Sequence, residues 1–386
     1  MMNRNARSIR VLLVLAIVAL SAASAHAKKA DHDGYVQTNL VSDGAVPALM
    51  TDSNLKNPWG ITFRGGAMPS PFWISDNNGG VATLYDGTGA SIAALPLVTI
   101  PLPNGSPGGS ATGTVFNTFQ ASKAFVIPGT GGLPAAFIFS TEDGTIVAWN
   151  TGIPDVDVPA ESPVDGIPAD EAQVVKDNSD GGSATGAVYK GLALAADSHG
   201  NPHLYATNFR SGNVDVFDST FTQVTLAGSF TDPKLPKGYA PFGIQLMGDA
   251  LFVTYALQDQ PKHDPVNKPG HGIVDIFDTD GNFMQRFASH GHLDSPWGVT
   301  SAPSTFGVFA NDILIGNFGD GKINAYDPMT RHFKGVLRDV NDRPIVNESL
   351  WALTFGGALN APVGTLYFTA GLHKEMDGLF GTLTPQ

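Results

Sequence analysis

One pattern recurs six times along this chain. Its clearest copies read Pro58-Trp59-Gly60-Ile61, then Phe72-Trp73-Ile74-Ser75-Asp76-Asn77, then Val81-Ala82-Thr83-Leu84-Tyr85-Asp86, and again Pro296-Trp297-Gly298-Val299, Ile313-Leu314-Ile315-Gly316-Asn317-Phe318 and Ile323-Asn324-Ala325-Tyr326-Asp327. Each copy holds a strand opened by an apolar-Gly-apolar step, an apolar strand running into a polar tip, and an alternating strand ending in Asp or Asn. A four-strand unit repeated every 40–55 residues or so is the signature of a β-propeller. The expected fold is therefore all-β, a six-bladed ring. Its small first-strand residues let backbones crowd near the axis.

The sixth copy lacks a fourth strand. It ends Leu379-Phe380-Gly381-Thr382-Leu383, and the last residues follow at once. A spare strand stands at the other end, Tyr35-Val36-Gln37-Thr38-Asn39-Leu40-Val41. An unpaired edge is a liability that ring closure removes, so residues 35–41 are expected to complete the last blade. Residues 28–386 are then expected to form one domain. Inserts at about 101–112, rich in Gly, Pro and Ser, and at 151–188, rich in Asp and Glu, read as loops.

Composition agrees. Gly and Pro number 45 and 27, nearly a fifth of the chain, while charged residues are 15%; many short strands joined by tight turns produce that profile. Arg4, Arg7 and Arg10 precede an apolar run of about ten residues and Ala25-His26-Ala27, as in a signal peptide. Residues 1–27 are thus expected to be removed and the protein exported, to the periplasm or beyond the cell, with no membrane insertion afterwards. There is no cysteine, so stability cannot rest on disulfides. A net charge of −13 argues against nucleic acid, which attracts lysine and arginine clusters. A monomer binding a small molecule or a protein is the expected state.

The terminal Asp or Asn of each third strand (Asp86, Asn150, Asp218, Asp278, Asp327) reads as a turn former whose side chain bonds backbone two residues on. In an up-and-down blade, the second-to-third loop and the loop entering the next blade open on one face, the mouth of the central channel. Asp76, Asn77, Glu142, Asp143, Asn208, Arg210, Asp259, Asn317 and Asp320 fall there as candidate ligand-binding residues. His263, Asp264, His271, His290 and His292 fall there as candidate metal ligands, with His373 nearby. Imidazole and carboxylate suit zinc or calcium, so one divalent cation is the cofactor such a rim could hold. No Gly-x-Ser-x-Gly elbow, phosphate loop or His-Glu-x-x-His helix occurs. Trp59, Trp297 and Trp351 read as packing between blades.

Taken together, Asn57-Pro58-Trp59-Gly60-Ile61, Ser140-Thr141-Glu142-Asp143-Gly144-Thr145-Ile146, Lys190-Gly191-Leu192-Ala193-Leu194, Gly238-Tyr239-Ala240-Pro241-Phe242 and Gly316-Asn317-Phe318-Gly319-Asp320-Gly321 resemble a group of uncharacterised secreted bacterial β-propeller proteins, some of which end in an exosortase-type sorting tail. This chain ends without one. More distantly the repeat is similar to NHL-type and gluconolactonase-like six-bladed propellers. That second resemblance implies a calcium in the channel, held here by Asp76, Glu142, Asn208 and Asn317. Three functions follow as expectations: a non-enzymatic ligand- or protein-binding module first, a divalent-metal-dependent hydrolase or lactonase second, a scaffold of an extracellular or envelope assembly third.

Overall fold

The computed structural model describes residues 33–151 and 170–386; the expected leader and the middle of the acidic insert lie outside these. Six antiparallel sheets follow one another along the chain. Blade 1 runs outward through Pro58–Thr62, Phe72–Asp76, Val81–Tyr85 and Leu97–Thr99. Blade 2 uses Ala111–Phe116, Phe137–Thr141, Thr145–Trp149 and Gln173–Asp177. Blade 3 uses Tyr189–Ala196, Pro202–Asn208, Asn213–Asp218 and Gln223–Val224. Blade 4 uses Tyr239–Met247, Ala250–Leu257, Ile273–Asp278 and Phe283–Ser289. Blade 5 uses Pro296–Ser301, Ile313–Asn317, Ile323–Tyr326 and Phe333–Val336. Each inner strand packs on the next, and that of blade 6, Leu350–Phe355, packs on that of blade 1. The ring is closed.

Blade 6 is built from both ends of the chain. Leu350–Phe355, Leu366–Gly371 and Asp377–Pro385 are joined by Tyr35–Ser42, which pairs antiparallel with the last strand from Tyr35↔Pro385 to Ser42↔Leu379. The short strand Met50–Thr51 then covers part of the outer edge in parallel register. Tyr35, Leu40 and Val41 are buried, and the Tyr35 hydroxyl donates to Phe306 O at 3.1 Å.

The glycines of the inner strands stand where backbones touch. A Cβ on Gly113 would lie 2.3 Å from Leu192 N, and one on Gly243 would lie 2.2 Å from Trp297 O. The recurring aspartates are turn formers: Asp86 accepts from Thr88 N (2.8 Å) and Ala90 N (3.1 Å), and Asp218 and Asp278 repeat the motif.

Both inserts contain more structure than expected. Ala111 and Thr112 belong to the inner strand of blade 2, and the loop before them is tied by Leu102 N→Ser106 O (2.7 Å) and Gly105 N→Leu102 O (2.8 Å). Within the acidic stretch, Gln173–Asp177 is the outer strand of blade 2. A half-exposed edge strand carries only a weak alternation, and the acids around it hide that.

Candidate functional site

The start of each inner strand and the end of each second strand meet at the loop face, and their aromatic residues close the channel there. Trp59, Phe209, Phe242, Phe318 and Trp351 form a buried cluster against Trp297. Trp59 and Trp351 stack with ring centres 3.4 Å apart. The tryptophans of blades 1, 5 and 6 therefore pack against one another across blades, as expected, and do so at the axis.

Above this plug lies a charged layer. Lys190 opens the inner strand of blade 3 and is 1% exposed. Its ammonium sits 5.1 Å from the Trp59 ring centre, pairs with Glu142 and lies 3.4 Å from Asp264. Asp264 accepts from His263 Nδ1 at 2.9 Å; this partner raises the imidazole pKa and holds the Asp264 carboxyl down at about 2. The other Glu142 oxygen accepts from Asn77 Nδ2 at 2.8 Å. Asn57 donates to Glu375 (3.0 Å) and accepts from Trp351 Nε1 (3.0 Å). Burial raises the Glu375 carboxyl. Five of the six blades thus contribute to one network.

The rim residues divide. Asn77, Glu142, His263 and Asp264 converge. Asp143 accepts from Ser110 N at 2.6 Å, and Arg210 donates to Gly186 O at 2.7 Å. Both line a cleft of about 640 Å³ between the loops of blades 1 to 4, bordered also by Glu142, Asp177, Ser179 and His263. Asp259 is a turn former, accepting from His263 N (2.8 Å) and Asp264 N (3.2 Å).

Asp76, Asn208, Asn317 and Asp320 form their hydrogen bonds inside their own blades. Asp76 is fully buried and accepts from Thr83 N (3.0 Å) and Oγ1 (2.7 Å). Asn208 donates to Asp215 (3.0 Å), while Asn317 donates to His292 O (2.8 Å) and Asp320 (2.9 Å). Of the four-blade set of oxygens implied by the lactonase-like resemblance, Asp76, Asn208 and Asn317 make local strand-end bonds, as short side chains at strand tips do, Glu142 bonds across blades to Lys190 and Asn77, and Asp76 Oδ1 and Asn317 Oδ1 are buried without a partner among the described residues.

The histidine loops of blades 4 and 5 are neighbours, as expected: Gly270 N donates to Leu293 O at 2.9 Å. Their rings do not meet at a metal site. His271 Nδ1 lies 3.1 Å from Val266 O, His290 Nδ1 lies 3.0 Å from Gly270 O, and His292 stacks on Phe333. Among the described residues, Glu142, His263 and Asp264 form one group able to hold an ion, and Asp197, His199 and Asp280, on the opposite face, form another.

Lys190 and Glu375 are the central groups the sequence reading missed. Lys190 carried a signal, a lone charge opening an apolar inner strand. Glu375 carried none: it is presented by a turn in which His373, Lys374 and Glu375 all take left-handed φ, 51°, 58° and 67°, a strained path for such residues that local sequence does not announce.

The buried Asp76 supplies a pH test. Burial pushes its carboxyl well above the usual range, so the fold holds a proton that the unfolded chain releases above about pH 4. The contribution of Asp76 to stability is then greatest at low pH and falls as pH rises from about 4. Asp76→Asn should flatten that part of the profile when denaturation midpoints are compared at pH 4 and pH 7; an unchanged slope would show that Asp76 is ionised in the fold.

No known family model matches the chain. Curated relatives do, among them the uncharacterised proteins L690 and R648 of Acanthamoeba polyphaga mimivirus. L690 is 31% identical over 362 residues, covering 89% of this chain and 84% of its own, and R648 is 30% identical over 354 residues, covering 89% and 78%. Among solved structures, a glucose dehydrogenase aligns over 90% of this chain and 99% of its own with a TM-score of 0.51 at 14% identity, a likeness of fold alone. These relatives are viral and lend no support to the secreted bacterial group with sorting tails, so that resemblance stands at the level of the propeller. The chain belongs to the family that includes the mimivirus proteins L690 and R648.

Proposed function

We propose that this chain is an exported, non-enzymatic binding propeller that takes a small polar molecule at its loop face. One observation carries the reading: a cleft of about 640 Å³, within the 300–1,000 Å³ or so typical of ligand sites, opens beside the channel mouth with charged and polar groups on its walls. The adjoining network is already balanced. Lys190 pairs with Glu142 and His263 with Asp264, which suits a rigid recognition surface.

The second reading, a divalent-metal-dependent hydrolase, is favoured by the approach of Glu142, His263 and Asp264 within 4.8 Å of one another. A cation polarising a carbonyl there would have chemistry to offer. Against it stands the Lys190 ammonium, a fixed positive charge on two of the three ligands.

The two separate in one experiment. The protein, purified without chelator, is submitted to elemental analysis and to a thermal-shift panel of small molecules, since a ligand of the folded state alone raises its melting temperature. Binding without turnover of the ligand, and with less than 0.1 equivalent or so of metal, is the expected result. About one calcium or zinc per chain, lost in Glu142→Gln together with a hydrolytic activity, would overturn it.

A further inference from the structure

The lining of the cleft identifies the chemistry of its occupant. Glu142 is balanced by Lys190 and His263 by Asp264. What remains on the walls is Asp143 and Asp177 against Arg210, and among the described residues neither carboxylate has a cationic partner within ion-pair distance. Ser110 N holds one oxygen of Asp143 at 2.6 Å, and Ser179 N holds one oxygen of Asp177 at 2.8 Å. Among the described residues the Ser110 side chain also bonds Asp143, and the second oxygen of Asp177 has no hydrogen-bond partner. Burial raises the Asp143 carboxyl, a shift that a cation at this place would oppose.

A second observation is independent of these acids. Ser179 is 2% exposed, borders the cleft, and its hydroxyl has no hydrogen-bond partner; Arg210 Nε is also buried and unpartnered. Buried polar atoms ordinarily find partners, and exceptions call for an explanation. The guanidinium is pinned through its Nη1 to Gly186 O, so its spare Nε–H cannot swing away to water without breaking that bond. The wall therefore combines two acceptor carboxylates, one donor, and one hydroxyl that does either.

We infer that the cleft binds an amine-bearing polyol, an amino sugar or a short oligomer of one, with its ammonium between Asp143 and Asp177 and its hydroxyls on Arg210 and Ser179. This rests on the ligand-binding reading and goes beyond it by naming the class. The volume admits one or two sugar rings, and Leu102, Pro103 and Ala187 supply the apolar surface against which a ring face lies.

The test is isothermal titration of the full chain at pH 7 with glucosamine and its β-1,4-linked dimer, their N-acetylated counterparts, and glucose. The amines should bind, and the N-acetylated and amine-free sugars should bind at least tenfold more weakly. Asp143→Asn and Asp177→Asn should each weaken the amines by tenfold or so; the Asn oxygen can still accept the backbone bond, and an unchanged melting temperature checks the fold. Equal binding of glucose or the N-acetyl sugars overturns the ammonium class but leaves a sugar-binding cleft. If the amines fail while another compound of the thermal-shift panel binds, the class is wrong and the binding reading stands. If no probe of either set binds, both fall.

Discussion

Deleting residues 35–41 should abolish cooperative folding. The strand they form, Tyr35–Ser42, supplies blade 6 with its fourth member, and seven register pairs tie it to Asp377–Pro385. Without it the last strand becomes a bare edge, and three side chains leave the core. Fully burying a large apolar side chain contributes about 1.5–3 kcal/mol, so losing Tyr35, Leu40 and Val41 removes an amount comparable to the whole stability of a typical domain, about 5–15 kcal/mol. The measurement is thermal or urea unfolding followed by circular dichroism, with the deleted chain expected to show no sharp transition. A milder variant keeps the question open if the deletion aggregates. Tyr35→Ala should cost about 3–5 kcal/mol, as removal of a large buried aromatic does, with the further loss of the hydroxyl bond to Phe306 O. A deletion that melts like the parent would show that the ring does not depend on this clasp.

The second large effect is expected at Lys190. Lys190→Met keeps a buried stem but removes the ammonium, which lies 5.1 Å and 5.9 Å from the ring centres of Trp59 and Phe209. Glu142, whose side chain is 13% exposed, then loses its cation, and Asp264, 64% exposed, is left to water. Breaking a fully buried pair by removing one partner costs about 3–5 kcal/mol; with Asp264 in solvent a loss of about 2–3 kcal/mol is expected from urea denaturation. Adding Glu142→Gln should restore more than half of it, because the damage lies in the stranded charge. If Lys190→Met costs under about 1 kcal/mol, the pair at the mouth contributes little and the network is not a rigid one.

The blades were legible because strand and turn signals are local. Alternation in Val81–Tyr85, the glycine step in Trp59-Gly60-Ile61 and the turn aspartates at Asp86, Asp218 and Asp278 each act over a few residues. The clasp was legible for a different reason: a count of strands left one missing and one spare. The outer strand Gln173–Asp177 escaped, since an edge strand with one wet face needs little hydrophobic pattern. At the rim, topology correctly brought the second-to-third loops to one face, and Asn77, Glu142, His263 and Asp264 met there.

Sequence alone determined the number of blades, the closure of the ring and the face on which polar tips gather, because these follow from periodicity and from the need to pair every strand. Only the tertiary structure decided which tips reach the axis. Asp76 and Asn317 end their second strands and bond within their own blades, Asn77 and Glu142 one residue past that position meet at the network, and Lys190 and Glu375 arrive at the centre from blades 3 and 6. That choice turns on distances of a few ångström between strands far apart in the chain and on the burial of each charge, neither of which a linear order of residues contains.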